Sequence, residues 1–426
     1  MAALIDVIYL IVAVITSPVW LVRMVRTGKI RTDWAGRFGL TGPIPAPRRP
    51  RVLLHGVSVG EVNAIRELVE TLSAPPIEAE IIVSATTDTG CSRAKSLFDG
   101  RHRVVRYPLD FSFAVRRFLR SVRPDVVVLV ELEVWPNFVR AAARQGCPVC
   151  VVNGRLTDRS VRGYRLLGPA LRPSFRGLAF VAAQNDAYAR RFGEMGVPRE
   201  RRNVTGTMKW DTAEIADHVD GSEELAESMG IDRTRPLIVA GSTAPGEHEL
   251  LVGAVGEKVQ LLCAPRRPEW FDQAAAAMPG CARRSHGDCG SETGRFLLDT
   301  IGELRQAYAL ADVAVVGRSF GNLHGSDMME PVALGAAVVT GPAVLDFRDT
   351  VDALLAGDGL VQTDRRNLRE TLAQLLADPE RRRQLVENGR VVLRAHQGAT
   401  QRNAELIAVL LSEKNTGTGL LSPTDR

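Results

Sequence analysis

Short apolar runs alternate along this chain with stretches whose apolar residues recur every three or four positions, the two patterns that separate buried strands from amphipathic helices. Residues 52–54 form the first run. Beyond two glycines, Val62, Ile65, Leu68, Val69 and Leu72 mark one face of a helix. Strands are expected at 81–83, 126–130, 149–152 and 180–183, with helices at 113–122 and 185–195. The run 126–130 has no polar residue, as a strand covered on both faces requires. An acidic stretch at 213–235 is expected to be helical and to act as a hinge. A second series follows, with strands at 237–240, 259–263, 296–298, 313–316 and 338–340, a glycine-rich loop at 317–325, a short helix at 330–335 and further helices to 411. Two successive α/β series imply two doubly wound sheets facing a cleft.

The N-terminal segment follows another pattern. Asp6, Thr16 and Ser17 alone interrupt the apolar run 2–22, which is about as long as a bilayer core requires. Asp6 and Pro18 make it a poor spanner, and the sequence leaves open whether it crosses the bilayer or lies in its surface. Arg23, Arg26, Lys29 and Arg31 follow, a placement that keeps the next domain cytoplasmic. A secretory signal would carry its charges before the run and end in small residues. The segment is expected to anchor a cytoplasmic body to a membrane; the other reading is a helix of the core. Four prolines at 43–50 mark a linker, and the polar tail 412–426 is expected to be disordered.

At 426 residues, 45% hydrophobic and 24% charged, the chain is globular and long enough for two domains. Its net charge of +5 suits anionic partners such as a nucleotide, a phospholipid surface or a phosphorylated glycolipid. Nucleic acid is not expected, because the basic residues are scattered and aromatics, at 5%, provide no stacking platform. Six cysteines make no disulfide framework in a chain this long. Cys147-Pro-Val-Cys150 falls in an expected strand with no second pair, and reads as buried thiols. The glycine fingerprints of dinucleotide and P-loop sites are missing, as are Asp-x-Asp and His-Glu-x-x-His. Dehydrogenase and NTPase chemistry are therefore set aside, and neither metal nor cofactor is expected.

The polar residues at the expected strand ends carry the candidate chemistry, since α/β folds bind ligands there. The first half offers Glu61, Thr86, Thr87, Glu131, Glu133, Asn153 and Arg155; the second offers Ser242, Thr243, Arg266, Asp327 and Glu330. A carboxylate can take a proton from an acceptor hydroxyl, and an arginine can grip a donor phosphate. Each residue also has a plainer reading. Ser58 and Glu61 have the spacing of a capping box, in which Glu61 would fold back to the Ser58 amide. As a base, Glu61 would point into the cleft towards the second domain, free to meet a hydroxyl.

The motifs resemble, in order, those of the 3-deoxy-D-manno-octulosonic acid (Kdo) transferases of lipopolysaccharide synthesis. The matching segments are Ser58-Val-Gly-Glu61-Val, Thr86-Thr-Asp-Thr-Gly90, Tyr107-Pro-Leu-Asp110, Glu131-Leu-Glu-Val-Trp-Pro-Asn137, Asn153-Gly-Arg155-Leu, Gly206-Thr-Met-Lys209, Gly241-Ser-Thr243 with Gly246-Glu247, Ala264-Pro-Arg266-Arg-Pro268, Asp299-Thr-Ile-Gly-Glu303-Leu and Glu330-Pro-Val-Ala-Leu-Gly335. The resemblance implies a GT-B glycosyltransferase with a membrane anchor at 1–22, an acceptor-binding Rossmann-like domain at 30–212 and a CMP-sugar-binding one at 213–411. It implies inverting, metal-independent transfer of Kdo from CMP-Kdo to a lipid A precursor, on the cytoplasmic side of the inner membrane. By position, Glu61 matches the base, Glu131 and Lys209 match transition-state stabilisers, and Pro265, Arg266, Ile301, Gly302, Glu303 and the run Asp327, Met328, Met329, Glu330 match the CMP-binding segments. The chain departs from the family where Ser326 and Asp327 replace a histidine and an asparagine, and where Arg267 stands at another histidine. A GT-B transferase with a different activated sugar, and a non-catalytic membrane-tethered binder, are the alternatives.

Overall fold

The apolar runs become the strands of two parallel sheets. The computed structural model describes residues 2–26, 28, 32–166, 168–290 and 292–416. It divides into two units, Met1–Thr212 with Gln397–Arg426, and Ala213–His396. Strands of the first unit are β1 (Arg51–Gly56), β2 (Glu80–Ala85), β3 (Arg103–Arg106), β4 (Val126–Val130), β5 (Val149–Gly154), β6 (Val181–Ala183) and β7 (Arg202–Val204), in the order β3-β2-β1-β4-β5-β6-β7. The chain reverses direction of progress between β1 and β4, where Leu54 lies opposite Val128. Such switch points leave a crevice at the carboxyl ends of the strands.

Both faces of this sheet are buried. Leu53, Ile82, Val127 and Val151 pack on one side with Phe118 and Phe138 from the helices Ser112–Val122 and Pro136–Arg144. Val52, Leu54, Val83 and Val128 pack on the other with Leu68, Leu72, Ile407 and Leu411. Phe118 is fully buried, and cutting such a ring to alanine costs about 3–5 kcal/mol. Ile407 and Leu411 belong to the last helix, Ala399–Thr416, which Asp211 starts by accepting the Gly398 and Thr400 amides at 2.6 Å each. Residues 397–411, expected in the second domain, thus complete the core of the first. Helix also continues from 412 to Thr416, where disorder was expected; 417–426 lie outside the described residues.

The second unit holds β8 (Leu237–Thr243), β9 (Gln260–Pro265), β10 (Ala282–Arg283), β11 (Arg295–Leu297), β12 (Val313–Val316), β13 (Ala337–Thr340) and β14 (Val361–Gln362), in the order β10-β11-β9-β8-β12-β13-β14, again parallel. Of the acidic stretch expected to be helical, only Ser222–Met229 is. Gly221 and Gly230 bracket it in the left-handed region (φ +85° and +69°), which stops the helix at both ends.

The N-terminal helix runs from Ala2 to Arg26, beyond the expected 22. Its segment Ile5–Arg26 is the one helix among the described residues long and apolar enough to cross a membrane. Ile15 and Val19 are 72% and 74% exposed, so it is no core helix. Lys29 and Arg31 lie outside the described residues.

Candidate active site

β1 ends at Gly56, and Glu61 lies in the first turn of the helix Val59–Ala64. Its Oε2 accepts the Val57 amide at 2.8 Å and its Oε1 the Ser58 hydroxyl at 2.9 Å. A capping box would place the carboxylate on the Ser58 amide and the Ser58 oxygen on a helical amide, and Ser58 makes no such cap bond. Glu61 instead closes the loop one residue further back. The Val57 carbonyl in turn accepts the Thr87 amide (3.1 Å) and hydroxyl (2.9 Å), which sews the loops after β1 and β2 together. Gly90 makes this seam possible, because a Cβ there would lie 2.8 Å from both the Val57 carbonyl and the Thr87 hydroxyl oxygen.

Two bonds do not fully compensate the carboxylate. Burial pushes Glu61 up to about 7 against the pull of the Val57 amide, and the negative charges of Glu131 and Glu133 raise it further. Glu131 follows β4 with φ +62°, a strained backbone for this residue type, fixed by its amide donating to the Val152 carbonyl at 3.0 Å. Its carboxylate takes no hydrogen bond among the described residues. Glu133 accepts the Trp135 indole N–H at 2.7 Å, and burial followed by Glu131 raises its pKa. Adjacent parallel strands thus bring three carboxylates together at the switch point. His55 beneath them is neutral: burial drops it to about 3, and it stacks on Tyr107 (3.6 Å between centroids) while bonding to Ser84 Oγ at 3.0 Å.

Lys209 is placed by its backbone. Asn153, at the end of β5 with φ +51°, accepts the Met208 amide at 3.2 Å and tethers the loop 205–209. The Lys209 side chain is exposed and forms no ion pair with Glu61 or Glu131 among the described residues.

In the second unit the loop after β8 repeats the first arrangement. Glu247, 3% exposed, accepts the amides of Ala244, Arg318, Ser319 and Phe320 at 2.8 to 3.0 Å. The glycine-rich loop therefore spends these N–H groups on Glu247 and not on a phosphate. Pro265 ends β9, and Arg266 donates its amide to the Thr243 carbonyl at 3.0 Å while its guanidinium is exposed. Glu303 is already engaged: Arg284 at 2.7 Å, then the Thr300 hydroxyl, hold its carboxyl below the usual range. Ile301 is 74% exposed and Gly302 has φ +107°. Asp327 accepts the Met329 amide at 2.9 Å. Glu330 stands 4.0 Å from Arg305, raised first by burial and then by Asp327. Met328 and Met329 are buried, so only their backbones are available to a ligand.

A family model described as 3-deoxy-D-manno-octulosonic-acid transferase (kdotransferase) matches residues 32–212. The 3-deoxy-D-manno-octulosonic acid transferase of Bordetella pertussis is 35% identical over 415 residues, covering 91% of this chain and 95% of that protein. This chain belongs to the Kdo transferase family. The Haemophilus influenzae enzyme of the same name is 29% identical, with 92% and 94% covered. A solved UDP-GlcNAc 2-epimerase from Neisseria meningitidis, bound to UDP-GlcNAc, shares the fold (TM-score 0.53, 14% identity, 85% of this chain and 100% of that one). The protein is a glycosyltransferase that transfers Kdo, and its two parallel seven-stranded sheets are of the GT-B kind.

Three residues that shape the candidate segments of this Kdo transferase's two units were assigned no such role from sequence. Glu247 had a signal, since Gly246-Glu247 repeats the strand, small residues and glutamate of Gly60-Glu61. Asn153 as a tether and Arg284 as the partner of Glu303 had none, because their contacts span 55 and 19 positions.

Proposed function

We propose that this transferase moves Kdo from CMP-Kdo to a hydroxyl of a lipid A precursor at the cytoplasmic face of the inner membrane, inverting the anomeric centre without a metal ion. Glu61 takes the proton as the acceptor oxygen bonds to the anomeric carbon and the bond to the CMP phosphate breaks. The observation that carries this reading is the Glu61 carboxyl, held at a strand end by two hydrogen bonds and raised to about 7, where a base works best near neutral pH. Glu131, without a hydrogen-bond partner among the described residues, opposes the positive charge that grows on the sugar ring. Lys209 and Arg266, both exposed, balance the departing phosphate in place of a metal. Pro265, Ile301, Gly302, Glu303 and residues 327–330 hold CMP, with Met328 and Met329 contributing backbone only.

The test is incubation with CMP-Kdo and lipid A precursor in detergent, following CMP release and product mass, with and without EDTA. Turnover that survives EDTA supports the reading. Turnover only with another nucleotide sugar, or only with added metal, overturns it.

A further inference from the structure

The helix Ala2–Arg26 is tied to the body of the first unit, and the manner of attachment decides how it meets a membrane. Asp6 accepts the Ser112 amide (2.9 Å), the Ser112 hydroxyl (2.5 Å) and the Asn137 side-chain amide (2.9 Å), and Tyr9 donates to Asp110 at 3.1 Å. Six residues past the end of the helix, Thr32 donates to Asp88 of the same unit at 2.7 Å and accepts from Arg37. From Asp6 to Arg26 the helix is about 30 Å long, the thickness of a bilayer core. If it crossed, the six positions from Arg26 to Thr32 would have to bring the chain back over that distance, and extended they reach only about 20 Å. With both ends tied to one body, the helix lies along the membrane surface.

The surroundings of its docking point fit that placement. Tyr9, Phe111, Phe113, Phe38 and Trp34 form a ladder of rings with centroids 6.0 to 6.2 Å apart. Phe113 is 47% exposed, with Phe38 and Trp34 each at 37%. Exposed Trp and Phe rings suit the apolar face of a segment lying in a membrane interface. Ser112 and Asn137 also line a cavity of about 210 Å³ with Arg116, Arg120, Arg140 and Arg144. Arg116 with Arg120, and Arg140 with Arg144, are like-charge pairs at the helix spacing that repels. Arg116, Arg120 and Arg144 form no ion pair among the described residues, and the carboxylates bonded to Ser112 and Asn137, those of Asp6 and Asp110, are spent on the bonds above and on the Asn137 and Phe138 amides.

We propose that this face is a docking surface for an acidic bilayer, with the helix Ala2–Arg26 lying in the interface and the arginine cavity holding the phosphate of an anionic phospholipid headgroup. The proposal rests on the membrane reading above and sharpens it. Positive charge complements the headgroup, exposed apolar surface complements the acyl boundary, and the two meet at Ser112 and Asn137.

The test uses the full chain with vesicles of phosphatidylcholine, alone or containing phosphatidylglycerol, in a flotation assay. Wild type should prefer the acidic vesicles. The triple variant Arg116→Ala, Arg120→Ala, Arg144→Ala should lose on the order of 100-fold in affinity for them, at about fivefold per arginine. It should keep turnover on detergent-dispersed substrate, and the corresponding lysine triple should keep most of the binding. Equal binding of wild type and alanine triple to acidic vesicles overturns the site but not the membrane reading, and so does displacement by millimolar inorganic phosphate. Failure to bind any vesicle overturns both. For the helix, an Ala2→Cys variant in spheroplasts of an expression host should resist an impermeant maleimide until lysis; labelling of intact spheroplasts means that the helix spans.

Discussion

Replacing Glu61 by glutamine keeps the side chain's size and one acceptor while removing its charge, so it separates a base from a loop staple. The folded pKa, about 7, lies above the ordinary 4.5. Between these values the folded protein holds a proton that the unfolded chain has released, so stability present below about pH 4.5 is lost as pH rises through 7. A rise from 4.5 to about 7 corresponds to ~3.4 kcal/mol at about 1.36 kcal/mol per pH unit, and solvent screening of a partly exposed side chain reduces this to roughly 1–2 kcal/mol. At pH 8 Glu61→Gln should therefore be about 1 kcal/mol more stable than wild type, after allowing for one weakened hydrogen bond. At pH 4.5 the difference should vanish. Urea unfolding at the two pH values measures this. CMP release should fall by about 10²–10⁴ in kcat, and the wild-type rise in kcat/KM through pH 7 should flatten. A variant that is less stable at pH 8 and within a few-fold of wild-type activity would falsify the assignment and make Glu61 structural.

Glu247→Gln should behave in the opposite way, losing about 2–4 kcal/mol by urea unfolding at pH 8, because a carboxamide cannot accept the four amides that converge there. Asp327→Asn removes the charge that helps to raise Glu330, so CMP affinity by calorimetry at pH 7 should rise about threefold to fivefold, the worth of relieving one nearby like charge; unchanged affinity would show that Asp327 faces away from the nucleotide. Asn153→Ala loses the bond to Met208 and leaves alanine at φ +51°, costing about 1–2 kcal/mol in thermal or urea unfolding, with a drop in kcat as the Lys209 loop loosens. Asn153→Gly should recover stability but not kcat, which separates the tether from the backbone.

The strands that the apolar pattern predicted are those buried between others. The four it passed over, Arg103–Arg106, Arg202–Val204, Ala282–Arg283 and Val361–Gln362, are the two edges of each sheet. All four are short and three of them carry arginine, which discourages pairing with other chains and also removes the apolar run that would announce them. The last helix was misplaced for a related reason. Its apolar positions show that it packs, while the Asp211 cap that starts it on the first unit lies 187 residues away in sequence from Gly398. Periodicity reports that a face is buried and carries no information about the partner.

The candidate site was legible as residue types at strand ends, but their roles depend on how many donors reach each carboxylate. Gly60-Glu61 and Gly246-Glu247 look alike in sequence, and both glutamates fold back on the loop after the first strand of their unit. Glu247 meets four backbone amides, which satisfy both of its oxygens. Glu61 meets one amide and one hydroxyl, with Glu131 and Glu133 close by, and is left short of compensation. That deficit makes it bind a proton near neutral pH, and it follows from what the second half has and the first lacks: a glycine-rich loop folded over the glutamate. Supplying more donors to Glu61, for example by Val59→Ser if the new hydroxyl reaches it, should lower its pKa and move the kcat/KM profile to lower pH, with a smaller maximum rate because the base is weaker. An unchanged profile in a variant whose hydroxyl does bond to Glu61 would mean that the ionisation governing turnover belongs to another group.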